Sequence, residues 1–309
     1  MAKLVVSEFL QEHYLDLLRA SHEVVFDPDM YSDRPRLLGE VGEAEAIFIR
    51  NRTRIDEELI AAATRLRVVG RLGVGLDNID MEACARVGIE VIPAVGANAV
   101  AVAEYVMGAM LVLTRGVFDM TPSMVAGEWP RQGHAFGHEL MGMTLGLIGF
   151  GAIAREVANR ATAFGMRIVA FDPFVPESDP VWRTVARLSF EEVLAESDVV
   201  SLHAPLTEAT RNLIGESALA LMKPNAVLIN TSRGGTLDET AVADALRRGV
   251  ISGAAIDVFE SEPLGPEPAS TFAAVPNLLL TPHVAGNTHE AVDRVARMIV
   301  SRVLEAIQR

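Results

Sequence analysis

The sequence predicts an α/β protein of two doubly wound parallel-sheet domains, one inserted into the other. Three observations carry this reading. Short apolar runs alternate with helical patterns through the first part of the chain. A strand–glycine turn–helix–strand unit opens at Thr144 and further strand–helix repeats follow it. The last helical pattern, residues 288–308, has no strand after it, so it is expected to cross back and close the first domain.

In the N-terminal part, residues 4–6, 23–26, 46–49, 67–69 and 90–92 read as strands. Residues 8–19, 36–42, 56–63 and 81–87 between them have helical spacing. Such repeats imply a parallel sheet covered on both faces, a flavodoxin-like arrangement. Residues 98–114 then form a helix that is apolar on nearly all sides. It is short for a membrane span and contains Glu104, so it belongs in a core or an interface. The loop 127–142 carries Trp129, Arg131, His134 and His138. Two histidines four apart could suggest a metal pair, but Pro130, Gly133 and Gly137 argue against a helix there. A solvent loop without metal is expected.

The organising stretch is TLGLIGFGAIAREVANRATAFGMRIVAFD, residues 144–172. An apolar run ends at Gly149, and Gly149, Gly151 and Ala154 give GxGxxA. Gly149 permits the tight turn, and Gly151 lets a pyrophosphate approach the backbone at a helix N-terminus. Ala154 lets the helix pack on the strand. Ile153, Val157, Ala161 and Phe164 recur at helical spacing, and Asp172 ends the second apolar run. Asp172 stands 23 residues after Gly149, where a carboxylate can accept from an adenosine ribose. That geometry favours NAD over NADP.

Later strands are expected at 198–202, 226–230, 253–258 and 278–281, with helices at 190–195, 216–222 and 239–248. With the first two strands they make a six-strand Rossmann-type sheet. Residues 1–96 with 287–309 are expected to form a substrate-binding domain, and 97–286 an inserted dinucleotide-binding domain. A ligand cleft is expected between them.

A net charge of −14 and a pI near 5.0 argue against nucleic acid and anionic membranes as partners. The one cysteine, Cys84, lies in a helical pattern and reads as a buried structural thiol. Without a signal-peptide pattern before the first strand, a cytoplasmic protein is expected.

Polar residues gather just past successive strand ends. Arg233 follows INTS, Asp257, Glu260 and Glu262 lie in IDVFESEP, and His283 lies in LTPHVAG. In a parallel sheet these ends share one edge, so an arginine, an acid and a histidine should converge near the nicotinamide. A guanidinium can hold a planar carboxylate by two parallel hydrogen bonds, and an imidazolium can protonate a carbonyl as hydride reaches its carbon. A neighbouring carboxylate would fix the imidazole tautomer, and spacing leaves Glu260 and Glu262 both open for that role. Each group also has a plain structural alternative, a turn cap, an ion pair or a hydrogen-bonded histidine. His203, after an earlier strand, reads as a wall residue.

Taken together, GRLGVGLDNID, GLIGFGAIA, LMKPNAVLINTSRGG, DVFESEP and TPHVAG, in this order, resemble the signatures of the D-isomer-specific 2-hydroxyacid dehydrogenases. That family includes the D-3-phosphoglycerate dehydrogenases and the sulfolactate dehydrogenases. The resemblance implies NAD as cofactor and hydride transfer between nicotinamide and a D-type 2-hydroxy or 2-keto acid. It implies that Arg233 binds the substrate carboxylate and that Glu262, directly before Pro263, orients His283. Asp257 would hydrogen-bond the nicotinamide amide. Gly149, Gly151, Ala152, Ile153, Asp172, Pro205, Thr231, Ser232 and Gly286 complete the expected cofactor contacts. The loop with Gly73, Val74 and Gly75 would hold the substrate carboxylate through backbone N–H groups.

The family's dimer-forming helix corresponds to residues 98–114, so a homodimer is expected. Ala152 stands where many members carry arginine, Ala154 replaces the third glycine, and Ser232 stands where a smaller residue is usual. No C-terminal regulatory domain is expected after the closing helix. Arg50, Asn51 and Arg52 in IRNRT, Arg71, and Arg131 in WPR are expected near the substrate's far end. They suit a second anionic group, as in 3-phosphoglycerate or 3-sulfolactate. The alternative for these arginines is pairing with local acids such as Asp56 and Glu57. A glyoxylate or hydroxypyruvate reductase, a nucleotide-dependent co-repressor and a redox-sensing binding protein are the other functional readings.

Overall fold

The computed structural model describes residues 1–131 and 137–309. Two compact units share the chain: Met1–Asn98 with Asn287–Arg309, and Ala99–Gly286.

The first unit holds a parallel sheet of β1 (Lys3–Val6), β2 (Glu23–Phe26), β3 (Ala46–Ile49), β4 (Val68–Arg71) and β5 (Glu90–Pro93), in the order β2-β1-β3-β4-β5. The apolar runs of β1, β3 and β4 are buried on both faces because helices cover both, while the edge strands β2 and β5 are only partly buried. α1 (Glu12–Arg19) and the C-terminal helix His289–Ile307 place Leu15, Leu18, Val295, Ile299 and Val303 on one face. α2 (Arg34–Val41), α3 (Glu57–Ala62) and α4 (Met81–Val87) place Leu37, Val41, Leu59 and Cys84 on the other. Asp33, Asp56 and Asp80 start those three helices by accepting from the N–H groups of Arg36, Leu59 and Ala83. The expected helix over 8–19 begins only at Glu12. Glu8 is 4% exposed and its carboxylate is turned onto the backbone after β3. A helical Glu8 could not reach those N–H groups.

In the second unit the long helix α5 (Ala99–Arg115) and the short α6 (Thr121–Val125) precede a seven-stranded parallel sheet. Its strands are β6 (Thr144–Ile148), β7 (Arg167–Phe171), β8 (Ala186–Arg187), β9 (Val199–Leu202), β10 (Val227–Asn230), β11 (Gly253–Ile256) and β12 (Leu278–Leu280), in the order β12-β11-β10-β9-β6-β7-β8. The order reverses between β6 and β9, the switch point where doubly wound sheets bind ligands. The sequence predicts six strands. The seventh, β8, is two residues long and carries no apolar run to announce it.

α5 and α7 (Ala152–Ala163) pack one face through Val106, Met110, Leu113, Ala154 and Val157. α8 (Phe190–Glu196), α9 (Glu216–Leu219) and α10 (Glu239–Arg248) cover the other through Val193, Leu194, Leu219, Val242 and Leu246. The short α11 (Pro266–Ser270) precedes β12, and the C-terminal helix of the first unit is α12. His134 lies outside the described residues. Among the described residues, no helix is long and apolar enough to cross a membrane.

Candidate active site

The carboxyl end of β6 turns sharply. Gly149 sits at φ 86°, and a Cβ there would stand 2.8 Å from the carbonyl of His203. This turn therefore needs glycine on two counts, conformation and space. Gly151, the residue before α7, has no described atom within 4 Å of where its side chain would begin. The first N–H groups of α7, on Ala152 and Ile153, thus end at an unobstructed helix N-terminus, which suits a pyrophosphate.

Asp172 braces the turn from the end of β7. Its Oδ2 accepts from Phe150 N at 2.7 Å, and its Oδ1 from Phe174 N at 2.8 Å and Val175 N at 3.2 Å. Three N–H bonds fix the carboxylate at the strand end. Arg155 covers the turn from the side, with its guanidinium carbon 5.3 Å from the centre of the Phe150 ring. The buried Oγ1 of Thr231, at the end of β10, has no hydrogen-bond partner among the described residues. An orphaned hydroxyl, an open helix start and a fixed acid at the second strand end together fit a bound dinucleotide. Pro205, after β9, is exposed.

Arg233 sits on a loop braced by Asn230, a fully buried side chain that sequence reasoning did not single out. Asn230 Oδ1 accepts from Ser232 N at 3.0 Å and Ser232 Oγ at 2.7 Å. Its Nδ2 donates to Arg233 O at 3.0 Å and to Thr236 Oγ1 at 3.2 Å. The only signal was an asparagine ending an apolar strand. Gly234 presses against the backbone of Phe259 and Glu260, where any Cβ would overlap their atoms. The arginine loop and the acid loop are therefore in backbone contact.

Glu262 joins that loop to His283. Its Oε1 accepts from Phe259 N at 3.0 Å, and its Oε2 lies 2.7 Å from His283 Nδ1. Burial alone would raise the Glu262 carboxyl. The His283 hydrogen bond, the Phe259 N–H and the positive charges of His283 and Arg233 outweigh it and hold the group below its ordinary value. Glu260 is turned elsewhere: its carboxylate pairs with Arg211 at 3.3 Å and its N–H donates to Glu239. Of the two acids that spacing left open, Glu262 is the one on the imidazole.

His283 itself sits at φ 55°, in a turn organised by Asp257. Asp257 is 1% exposed. Its Oδ1 accepts from Thr281 Oγ1 at 2.6 Å and Val284 N at 2.9 Å, and its Oδ2 from Ala285 N at 2.9 Å, next to Gly286. Its carbonyl accepts from His283 N at 2.8 Å. The carboxylate expected at the nicotinamide thus already holds the histidine turn, and any cofactor contact shares it. Tyr105 of α5 extends the chain, with its hydroxyl 2.6 Å from Thr281 Oγ1.

In the first unit the loops after β3 and β4 carry the other candidates. Gly73 N donates to Arg71 O at 2.7 Å and Arg71 Nε donates to Gly75 O at 2.8 Å. The N–H groups of Val74 and Gly75 donate to none of the described residues. After β3, Arg52 is taken up by Tyr31, donating to its hydroxyl and lying over its ring. Arg50 is only partly exposed, and its guanidinium donates to no described group. Burial lowers its pKa and the nearby Glu8 charge offsets part of that. The local acids are engaged elsewhere: Asp56 pairs with Arg34 and Glu57 with Arg86. Asn51 is exposed, as is Arg131.

Residues 107–285 match the family model described as D-isomer specific 2-hydroxyacid dehydrogenase, NAD binding domain. The chain is 49% identical over 308 residues to an (S)-sulfolactate dehydrogenase of Chromohalobacter salexigens, covering 99% of each. It is 37% identical over 302 residues to a hydroxypyruvate reductase of Thermotoga maritima, covering 98% of this chain and 97% of that protein. It is 38% identical over 310 residues to a D-3-phosphoglycerate dehydrogenase of Methanocaldococcus jannaschii, covering all of this chain but 58% of that protein. A crystal structure of a D-lactate dehydrogenase from Aquifex aeolicus, complexed with NAD and lactic acid, superposes with a TM-score of 0.85 at 30% identity, covering 99% of this chain and 95% of that one. The chain belongs to the D-isomer-specific 2-hydroxyacid dehydrogenase family and is an NAD-dependent oxidoreductase.

Proposed function

We propose that this enzyme interconverts a D-configured 2-hydroxy acid bearing a second anionic group with its 2-keto acid, and that 3-sulfolactate is the foremost candidate. The observation that carries the reading is Arg50. It is a partly buried cation without a hydrogen-bonded partner among the described residues; the Glu8 charge offsets only part of its burial, and the nearby Asp56 and Glu57 pair with other arginines. An acidic protein has little general reason to leave a cation in that condition, and a sulfonate or phosphate would complete it. The relative that is 49% identical is named for (S)-sulfolactate, which supports the sulfonate. Its S descriptor agrees with a D-specific family. The sulfur-bearing carbon outranks the carboxyl group, so (S)-sulfolactate has the spatial arrangement of (R)-lactate.

The catalytic set is Arg233, Glu262 and His283. The N–H groups of Val74 and Gly75, which donate to none of the described residues, are candidates to hold the substrate carboxylate, and so is the Arg233 guanidinium. Glu262 accepts from Nδ1–H of His283, which leaves Nε2 to take the hydroxyl proton in oxidation and return it in reduction. Bound NAD supplies the hydride acceptor. Asp257 and Asn230 act through others, the first by holding the His283 turn and the second by holding the Arg233 loop. Arg52 stands outside this minimal set, because it is occupied by Tyr31.

We further assign the protein to the cytoplasm as a homodimer through α5 and the segment after it, where Phe118, Met124, Val125 and Trp129 are exposed. The acidic balance disfavours nucleic acid and membrane partners. A second reading, a small-acid reductase, is favoured by the 37% identical hydroxypyruvate reductase. A kinetic panel of 2-hydroxy and 2-keto acids, with and without a sulfonate or phosphate, separates the two.

A further inference from the structure

The loop that carries Arg50 is held from two sides by side chains outside it. From one side, the buried Glu8 accepts Arg50 N at 2.7 Å and Thr53 N at 3.0 Å on Oε1, and Arg52 N at 3.2 Å on Oε2. From the other, Asn78 Nδ2 donates to Arg50 O at 2.9 Å and Thr53 O at 2.6 Å. Asn78 is also tied to the chain after Thr53, because Ile55 N donates to its carbonyl at 2.9 Å. Ser7 adds a third tie, with its hydroxyl 2.8 Å from Thr53 Oγ1. Glu8 and Asn78 thus satisfy the N–H groups of Arg50, Arg52 and Thr53 and the carbonyls of Arg50 and Thr53, while the Arg50 guanidinium donates to no described group.

A full negative charge is a costly way to cap three N–H groups in a buried place, since a neutral acceptor would also bond to them. Glu8 does something a neutral acceptor could not. It is the acid that sets a charge against Arg50. Asn78, for its part, lies three residues after Gly75, on the same connection as the N–H groups proposed for the carboxylate. One side chain therefore links the loop for one end of the substrate to the loop for the other.

We propose that Glu8 and Asn78 are positioning residues that fix the Arg50 loop relative to the Gly73–Gly75 loop and so set the selectivity for acids with a second anion. The proposal rests on the reading of Arg50 as the second-anion group. The positioning role can fail while that reading stands, and the two failures are distinguishable.

The experiment compares Glu8→Gln, Asn78→Ser and Arg50→Ala, with kcat and KM measured on 3-sulfolactate, 3-phosphoglycerate and glyoxylate and folding checked by thermal melting. Gln would turn an N–H₂ group toward at least one N–H donor, so the loop shifts while the side chain keeps its size. Glu8→Gln is expected to raise KM for the favoured dianion about tenfold, with kcat within a factor of three and glyoxylate kinetics within a factor of two. Asn78→Ser is expected to act in the same direction, and it carries the test if Glu8→Gln does not fold. A folded variant that keeps the parent's preference, while Arg50→Ala loses it, overturns the positioning role. Equal losses on dianion and glyoxylate also overturn it, because they mark a general structural part. If Arg50→Ala keeps the preference, the second-anion reading falls and the proposal falls with it.

Discussion

Glu262 uses its two oxygens for different purposes: Oε2 meets His283 Nδ1 at 2.7 Å, while Oε1 accepts from Phe259 N at 3.0 Å. The second bond anchors the carboxylate to its own loop, so the first can fix the imidazole. On the proposed roles, His283→Ala should lower kcat by about 10² to 10⁴, the usual cost of losing a positioned acid. NADH binding, followed by fluorescence titration, should stay within a few-fold of the parent. Turnover within a factor of two of the parent would remove His283 from the mechanism.

The same pair sets a pH response. The folded Glu262 carboxyl lies below its ordinary 4.5. Its contribution to stability is therefore fully present above that value and lost as pH falls through the lower folded value. The melting temperature of the parent should fall faster than that of Glu262→Gln as pH is lowered below about 4.5. Parallel curves for the two proteins would show that the pair adds nothing to stability.

His203 gives a second window. Burial pushes its ring from 6.5 down to about 3, so the folded protein keeps it neutral where the unfolded chain would protonate it. That stability is complete above 6.5 and is lost as pH falls toward 3. The carbonyl of His203 also backs Gly149. His203→Gln should flatten the fall in melting temperature between pH 6.5 and 4, and an unchanged slope would contradict the buried neutral ring.

Asp172 should favour NAD by repelling a 2′-phosphate. Asp172→Ala should narrow the ratio of kcat/KM for NAD over NADP. It should also raise the KM for NAD, because Phe150, Phe174 and Val175 lose their acceptor. A parent enzyme equally efficient with both cofactors would refute the first part.

Asn230→Ala should act at a distance from the substrate. It leaves buried donors and acceptors unpaired, at a cost of about 1–3 kcal/mol in stability. It should also reduce kcat/KM tenfold or more through a displaced Arg233. Circular dichroism melts with steady-state kinetics would report both effects.

Much of this architecture is written in local pattern. The GxGxxA turn, the apolar runs and Asp172 each have one short-range cause, so their placement could be read residue by residue. β8 escaped because two residues carry no periodicity. The segment from Glu8 to Gln11 has helical spacing, yet Glu8 is recruited by N–H groups more than forty residues away, which no local pattern reports. Asn230 and Asp257 were legible as residues at strand ends but not as braces, since their partners are fixed only once the loops meet. The same applies to the arginines. The sequence grouped Arg50 with Arg52, and the structure separates them, because Tyr31 occupies one and not the other.

On the proposed function, the enzyme is built for an acid with two anionic groups. The most direct test is kcat/KM for 3-sulfolactate and 3-phosphoglycerate against D-lactate and D-glycerate, with sulfopyruvate against glyoxylate, hydroxypyruvate and pyruvate in the reverse direction. A desolvated charge-assisted hydrogen bond is worth roughly 1.5–3 kcal/mol, which corresponds to at least tenfold. A dianion should lead by that margin in both directions, and Arg50→Ala should reduce the margin far more than it reduces activity on glyoxylate. A purified enzyme that prefers glyoxylate, hydroxypyruvate or pyruvate to every sulfo- or phospho-substituted acid would contradict it and leave the small-acid reductase in its place.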